Sequence, residues 1–409
     1  MTTSLHCPDC GATYADRWRC SCGHPLEFTD TPSPGGPPDP ETFDTRAGLW
    51  SYADLVPVEP RVTLGEGTTP LVDAPAWDAA FKLEYVFPTG SFKDRGATAT
   101  LSRAAALGVE RVVEDSSGNA GAAVATYAAR AGMDARIFVP ADVKPAKLRA
   151  IRTAGAEPIR VEGTRGDVTA ACVEAVETGD AFYASHAWRP SFLAGTATVA
   201  YEIAHQRDWT APDAVVIPVG HGTLLLGASR GFTRLTEAGW IDRVPRLYAA
   251  QATGHAPIVR ALHGDGPETT GAAARRALGV DDATTGDPAA ADDATTDDAT
   301  SDDSADDQTG DDPTGAEVST NERADGIAIN DPVRGEAIVE AIRETGGDAI
   351  ALDAATTDRE LDRLGRAGFD TEPTCATAPA ALRAFRVRGE IGPDERVVVP
   401  LTGSGLKTS

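Results

Sequence analysis

From about residue 60, short apolar runs alternate with longer segments whose apolar positions recur at helical spacing. RVVEDSSG is followed by NAGAAVATYAARAG, DARIFVP by KPAKLRAIRTAG, and EPIRVEG by DVTAACVEAVETG. Farther along, DAVVIPVG leads into TLLLGASRGFTRL and DAIALDA into TDRELDRLGRAG. Strands that are apolar throughout, each followed by an amphipathic helix, predict β-α units and a mostly parallel sheet with helices on both faces. Gly108, Gly132 and Gly155 follow the helical runs where a left-handed stop is expected. The fold class is therefore α/β.

Residues 1–28 break this pattern and form a small cysteine-bearing unit. A Pro/Gly stretch, DTPSPGGPPDP, follows as a linker. With 409 residues the chain is long enough for two lobes plus appendages. We divide it into a ribbon-like unit at 1–28, a linker and arm at 29–59, a large lobe at 60–105 and 200–409, and a small lobe at 106–199. The stretch from Asp281 to Glu317 holds 13 Asp and one Glu with no Lys or Arg. It has almost no large apolar residue to offset ordering entropy, so a disordered acidic insertion is expected at about 280–320.

Charge narrows the function classes. Removing the 14 carboxylates of that insertion takes the net charge from −25 to −11, so the remainder is still acidic. Five lysines stand against 32 arginines. Such a surface suits a protein kept soluble in a high-salt cytoplasm and argues against nucleic acid as a partner. No run approaches 18 apolar residues and the opening MTTSLHCPDC lacks a basic-then-apolar leader, so a cytoplasmic protein with no membrane partner is expected.

The chemistry gathers at strand-to-helix turns. In Pro88-Thr89-Gly90-Ser91-Phe92-Lys93-Asp94-Arg95-Gly96 a single lysine stands at a helix start. Positive dipole ends and desolvation there favour a deprotonated amine, as Schiff-base chemistry needs. Ser116-Ser117-Gly118-Asn119 places an amide at the C-terminal edge of a strand, where ligands of open α/β sheets bind. Gly220-His221-Gly222-Thr223 follows an apolar strand and exposes successive N–H groups, a phosphate cradle without the Gly-Lys-Ser/Thr of a Walker loop. The closing strand runs into Thr402-Gly403-Ser404, so Thr402 or Ser404 offers a neutral hydroxyl to a ring nitrogen. Amine, amide, cradle and hydroxyl together are what pyridoxal 5'-phosphate requires.

These segments resemble those of the fold-type II pyridoxal-phosphate enzymes (the tryptophan synthase β-like fold), and most of all the threonine synthases. PTGSFKDRG, SSGNAG, Leu64-Gly65-Glu66-Gly67-Thr68-Thr69-Pro70-Leu71, Ala324-Asp325-Gly326-Ile327, Glu372-Pro373-Thr374 and the closing LTGSGLK carry the likeness from about residue 60 to the end. The resemblance implies that Lys93 holds the cofactor and then acts as acid–base, with Phe92 walling the ring and Asn119 bonding the 3'-oxygen. It further implies that Gly220, His221, Gly222 and Thr223 bind the cofactor phosphate, Thr402 faces the pyridine nitrogen, and Ser91 and Ser117 meet an amino-acid substrate. The implied reaction turns O-phospho-L-homoserine and water into L-threonine and phosphate, the alternative being a threonine or serine dehydratase or a β-replacement synthase. A homodimer is implied as well.

Several positions depart from the family pattern. Phe87 and His221 stand where Asn is usual. Arg189-Pro190 replaces Asn-Pro, and Ala197 replaces the lysine of Gly-x-Lys-Thr. If that lysine serves the substrate phosphate, Arg189 is the candidate to replace it, since a guanidinium grips phosphate bidentately. Cys7-x2-Cys10 and Cys20-x-Cys22 resemble two knuckles of a zinc ribbon, with His6 or His24 as a possible substitute ligand. A structural zinc is expected there, as in ribbons that precede some archaeal threonine synthases. Cys172 and Cys375 read as core thiols, and His186, His205 and His255 as structural residues with no paired acid.

Overall fold

The computed structural model describes residues 3–33, 35–38, 43–179, 181–279 and 320–407. The insertion expected to be disordered lies outside the described residues.

Three sheets organise the chain. The smallest is antiparallel, with Leu5–His6 between Thr13–Tyr14 and Glu27–Phe28. A four-stranded parallel sheet runs in the order Glu157–Val161, Asp134–Pro140, Arg111–Glu114, Phe182–Tyr183. A six-stranded sheet runs Ala349–Leu352, Arg246–Ala252, Ala214–Pro218, Val397–Pro400, Ala79–Lys82, Leu71–Ala74. Its pairs are parallel except the last, a hairpin that closes the edge with Leu71 opposite Lys82. Strands such as Ala214–Pro218 are buried along their whole length, because helices cover both faces. The hairpin lies outside the β-α pattern read from the sequence. Among the described residues no helix is long and apolar enough to cross a membrane.

The helix that begins at the motif lysine, Lys93–Ala106, packs against the helices Asn119–Ala131 and Pro190–Thr196. It crosses the helix Pro190–Thr196 so closely that a Cβ on Gly195 would lie 1.9 Å from the carbonyl oxygen of Arg95. Only glycine allows that approach. Beneath the crossing, four fully buried charges form a closed set. Arg95 donates through Nε to Glu84 (2.6 Å) and through Nη1 to Glu202 (2.7 Å), while Lys82 Nζ donates to Glu202 (2.6 Å). This network ties the edge hairpin, the lysine helix and the helix Thr198–His205 into one frame.

The cysteine unit is docked on that frame rather than tethered beside it. Asp16 accepts from Arg103 Nε (2.8 Å) and Arg189 Nη1 (2.7 Å). Glu27 accepts from Arg230 at 2.5 Å and also from Arg334. Trp18 packs edge-on against Tyr183 and Trp188.

Candidate active site

Three helices start at one cleft between the larger sheets. They are Lys93–Ala106, Asn119–Ala131 and Thr223–Glu237, and none has a side chain capping its first turn. Asp94 and Arg95 of the first helix donate back to Ser91 and Phe92, so the anion site rests on the other two starts and on the dipoles of all three. The cleft's cavity volume is about 200 Å³. Strand ends deliver the turns: Arg111–Glu114 leads to the Ser116–Asn119 turn and Ala214–Pro218 to the Gly220–Thr223 turn. Gly222 sits at φ 68°, and a Cβ there would meet Ile338 Cδ1 at 2.3 Å.

Most of the residues predicted from sequence meet here. Phe92, Lys93, Ser117 and Asn119 line the cleft. Gly220, His221, Gly222, Thr223 and Thr402 line it as well. Lys93 Nζ lies 3.4 Å from Thr223 Oγ1 and 4.5 Å from the centre of the Phe92 ring. Burial brings its pKa down to about 8, against the opposing pull of Glu114 and Glu372. Asn119 is held from both ends. Its Nδ2 donates to both oxygens of Glu372 at 3.0 Å, and its Oδ1 accepts from Lys407 at 2.7 Å. Thr402 Oγ1 lies 3.3 Å from the thiol of Cys375, which is a buried core thiol, as is Cys172.

Two predicted residues are elsewhere. Ser91 is wholly buried, bridges Gly403 through its backbone and does not line the cleft. Arg189 is only 3% exposed and is spent on Asp16 and on the carbonyl of Tyr183 (2.6 Å). It caps the helix Pro190–Thr196 and locks the cysteine unit onto the small lobe, so it does not meet the cleft. Ala197 is likewise turned to a separate surface cavity beside Glu27, Arg230 and Arg234. The departures at 189 and 197 therefore concern packing. Phe87 is buried with its ring under the Arg95 guanidinium, 4.9 Å away.

Sequence reading also missed a pair. His186, taken as a lone histidine, lines the cleft with Nδ1 2.7 Å from Glu114 Oε1. Their 72-residue separation hid the contact. Burial, with Asp115 adding repulsion, raises Glu114 well above the carboxylate range; burial, with Lys93 adding repulsion, lowers His186 well below the imidazole range. Both shifts work against charge on the pair. The His221 ring stands 5.1 Å from that of His186, and burial lowers it to about 4. His205 and His255 are structural, bonded to Tyr52 (2.9 Å) and Asn330 (2.8 Å).

The four N-terminal thiols converge so that their sulfurs all lie within 4.8 Å of one another, with Cys7–Cys22 at 3.6 Å and Cys10–Cys20 at 3.4 Å. A tetrahedral zinc with bonds of about 2.3 Å would separate its sulfurs by about 3.8 Å. The donor set fits such an ion despite the short Cys20-x-Cys22 spacing. His24 stands at the rim, 3.5 Å from Cys22 and 3.5 Å from Asp9.

Comparison with known proteins gives the same picture from outside. Residues 62–403 match the family described as pyridoxal-phosphate dependent enzyme. Threonine synthase of Methanosarcina acetivorans is 31% identical over 98% of this chain and 92% of its own length. That of Methanocaldococcus jannaschii is 30% identical over the same shares. Among solved structures, processed threonine deaminase isoform 2 of Solanum lycopersicum superposes with a TM-score of 0.62 at 19% identity, covering 91% of this chain and 87% of that one. Maize serine racemase does so at 0.58 and 19%, covering 82% and 88%. These two likenesses speak to the fold alone. A half-buried amine at a three-helix anion cleft, a matching family region and near-full-length relatives lead to one statement: this chain belongs to the fold-type II pyridoxal-phosphate dependent enzymes.

Proposed function

We propose that this enzyme converts O-phospho-L-homoserine and water into L-threonine and inorganic phosphate. The observation that carries the reading is the relationship to two threonine synthases across 98% of the chain, ribbon included. The cleft supports it chemically. The uncapped start of the helix Thr223–Glu237 and the Gly220–Thr223 turn fit a phosphate group, and Lys93 is an amine with depressed basicity beside them. When bound, pyridoxal phosphate supplies an electron sink for negative charge at the substrate's Cα and Cβ.

The chain's own residues do the rest. Lys93 would hold the cofactor aldehyde and, once freed by the incoming amino group, carry protons at Cα and Cβ. A group with pKa near 8 does both at neutral pH. Phe92 would wall the ring, and Asn119 would turn its amide from Glu372 to the phenolic oxygen. Thr402 would present a hydroxyl to the ring nitrogen, leaving it uncharged and favouring elimination and replacement over transamination. Ser117 and the N-terminus of the helix Asn119–Ala131 would take the substrate carboxylate. Overall a Cγ–O bond to phosphate breaks and a Cβ–O bond from water forms. The Cys7, Cys10, Cys20 and Cys22 cluster would hold a structural zinc with no open position for catalysis.

The test is product analysis of the purified, cofactor-loaded protein in high salt. Equal yields of phosphate and L-threonine from O-phosphohomoserine are expected. Keto-acid release from L-threonine with no phosphate release would replace this reading with a dehydratase.

A further inference from the structure

With Arg189 and Ala197 facing away, the substrate phosphate must be met by other groups. Five side chains of the described cleft wall are cationic or able to become so: Lys93, Lys147, Arg165, His186 and His221. Lys93 serves the cofactor. Burial keeps both histidines neutral. Lys147 and Arg165 remain, both from the small lobe, on the helices Pro145–Thr153 and Arg165–Thr178.

The two differ in how firmly they are held. Arg165 is anchored on Asp115, with Nη2 3.2 Å from its carboxylate and Nη1 on its carbonyl oxygen. Asp115 is buried and fixed in turn by Thr169 Oγ1 at 2.6 Å. Lys147 Nζ instead reaches across the cleft mouth to Asp325 Oδ2 at 2.8 Å. Asp325 lies on the turn Glu322–Ile327, which packs on the helices of the six-stranded sheet. This pair therefore joins the two lobes, and its members are 37% and 53% exposed. An ion pair so open to water holds its members only weakly. A phosphate dianion offers more charge and three acceptor oxygens, and it draws an ammonium from a single solvated carboxylate.

We propose that Lys147 is the receptor for the phosphate on the substrate side chain, with Arg165 lending a second fixed charge. Asp325 is the place-holder that Lys147 leaves when the anion arrives. The proposal deepens the threonine synthase reading and rests on it for the phosphorylated substrate. It also assigns specificity: an amino acid without a terminal dianion leaves the Lys147–Asp325 pair in place.

The experiment compares cofactor-loaded wild type with Lys147→Gln, Lys147→Arg and Asp325→Asn at fixed salt. Inorganic phosphate is titrated calorimetrically, and KM for O-phosphohomoserine is measured alongside. Lys147→Gln is expected to weaken phosphate binding and raise KM by about tenfold or more, with a smaller change in kcat, and Lys147→Arg to recover most of the loss. Asp325→Asn is expected to tighten phosphate binding a few-fold. The visible absorption of bound cofactor stays the same in all three. Unchanged phosphate affinity and KM in Lys147→Gln would overturn the proposal. Loss of the cofactor band in that variant would overturn it too, by assigning Lys147 to the cofactor's own phosphate. Should wild type release no phosphate from O-phosphohomoserine, the functional reading fails, yet the calorimetric arm still decides whether Lys147 binds the anion.

Discussion

Two charge clusters share the first turn of the lysine helix, one through Arg95 and one through Lys93, and they are built on opposite principles. Beneath it, Lys82, Glu84, Arg95 and Glu202 form a neutral set in which two cations match two carboxylates at 2.6–2.7 Å. Burial works to raise Glu202, but Arg95 and Lys82 outweigh it and hold the carboxyl down at about 2. At the cleft, Glu114 and His186 are buried, Lys93 and Glu372 are half-buried, and the partners are incomplete. Lys93 falls to about 8, Glu114 and Glu372 are pushed up by burial, and one oxygen of Glu114 and Nδ1 of His221 have no hydrogen-bond partner. Matched charges keep their protons where they are and make a scaffold. Mismatched ones sit close to exchanging protons and make a reactive centre.

Breaking each cluster should therefore fail in a different way. The largest effect is expected from Lys93→Ala, which loses the visible cofactor band and lowers turnover at least about a thousandfold while thermal unfolding barely moves. Arg95→Leu is expected to do the reverse. It leaves buried Glu84 without its cation and Glu202 with Lys82 alone, and destabilises the fold by about 3–5 kcal/mol, as read by denaturant unfolding. An intermediate effect is expected at the docked cysteine unit. Asp16→Ala leaves the buried guanidinium groups of Arg103 and Arg189 without their carboxylate and costs about 1–3 kcal/mol, visible in thermal unfolding.

A smaller, sharper test concerns protons. The neutral amine of Lys93 is the form that attacks an aldehyde, so the rate of cofactor uptake should rise with pH and level off above about 8. If Glu114 is already protonated, Glu114→Gln shifts that midpoint by less than about half a unit. A clear drop in the midpoint would show that Glu114 carries charge. For the scaffold the sign runs the other way with acid. Glu202 is depressed in the folded state, so its contribution is full above the ordinary carboxylate pKa and is lost as pH falls from about 4.5 towards 2.

The β-α order was legible because strands such as Ala214–Pro218 are buried on both faces and so read as unbroken apolar runs. Much of the cleft was legible for a related reason. Lys93, Asn119, Gly220–Thr223 and Thr402 are short-range features, each at a turn after a strand or at a helix start. What the sequence hid is long-range. The antiparallel Leu71–Lys82 edge resembles no β-α unit, and His186 meets Glu114 only through strand pairing in the small lobe. The scaffold pairing is hidden because Lys82 and Glu202 are 120 positions apart. Arg189 failed for another reason. Motif alignment places a residue along the chain but not the direction of its side chain, and Asp16 of the cysteine unit supplied the direction.

The central claim is that, of five lysines, position 93 alone carries the cofactor. Borohydride reduction of the loaded protein, followed by proteolysis and peptide mass analysis, tests it most directly. The account predicts one pyridoxyl-labelled peptide, containing Lys93 and lost in Lys93→Ala. A label on the peptide of Lys147 or Lys407 instead, or none at all, would contradict it.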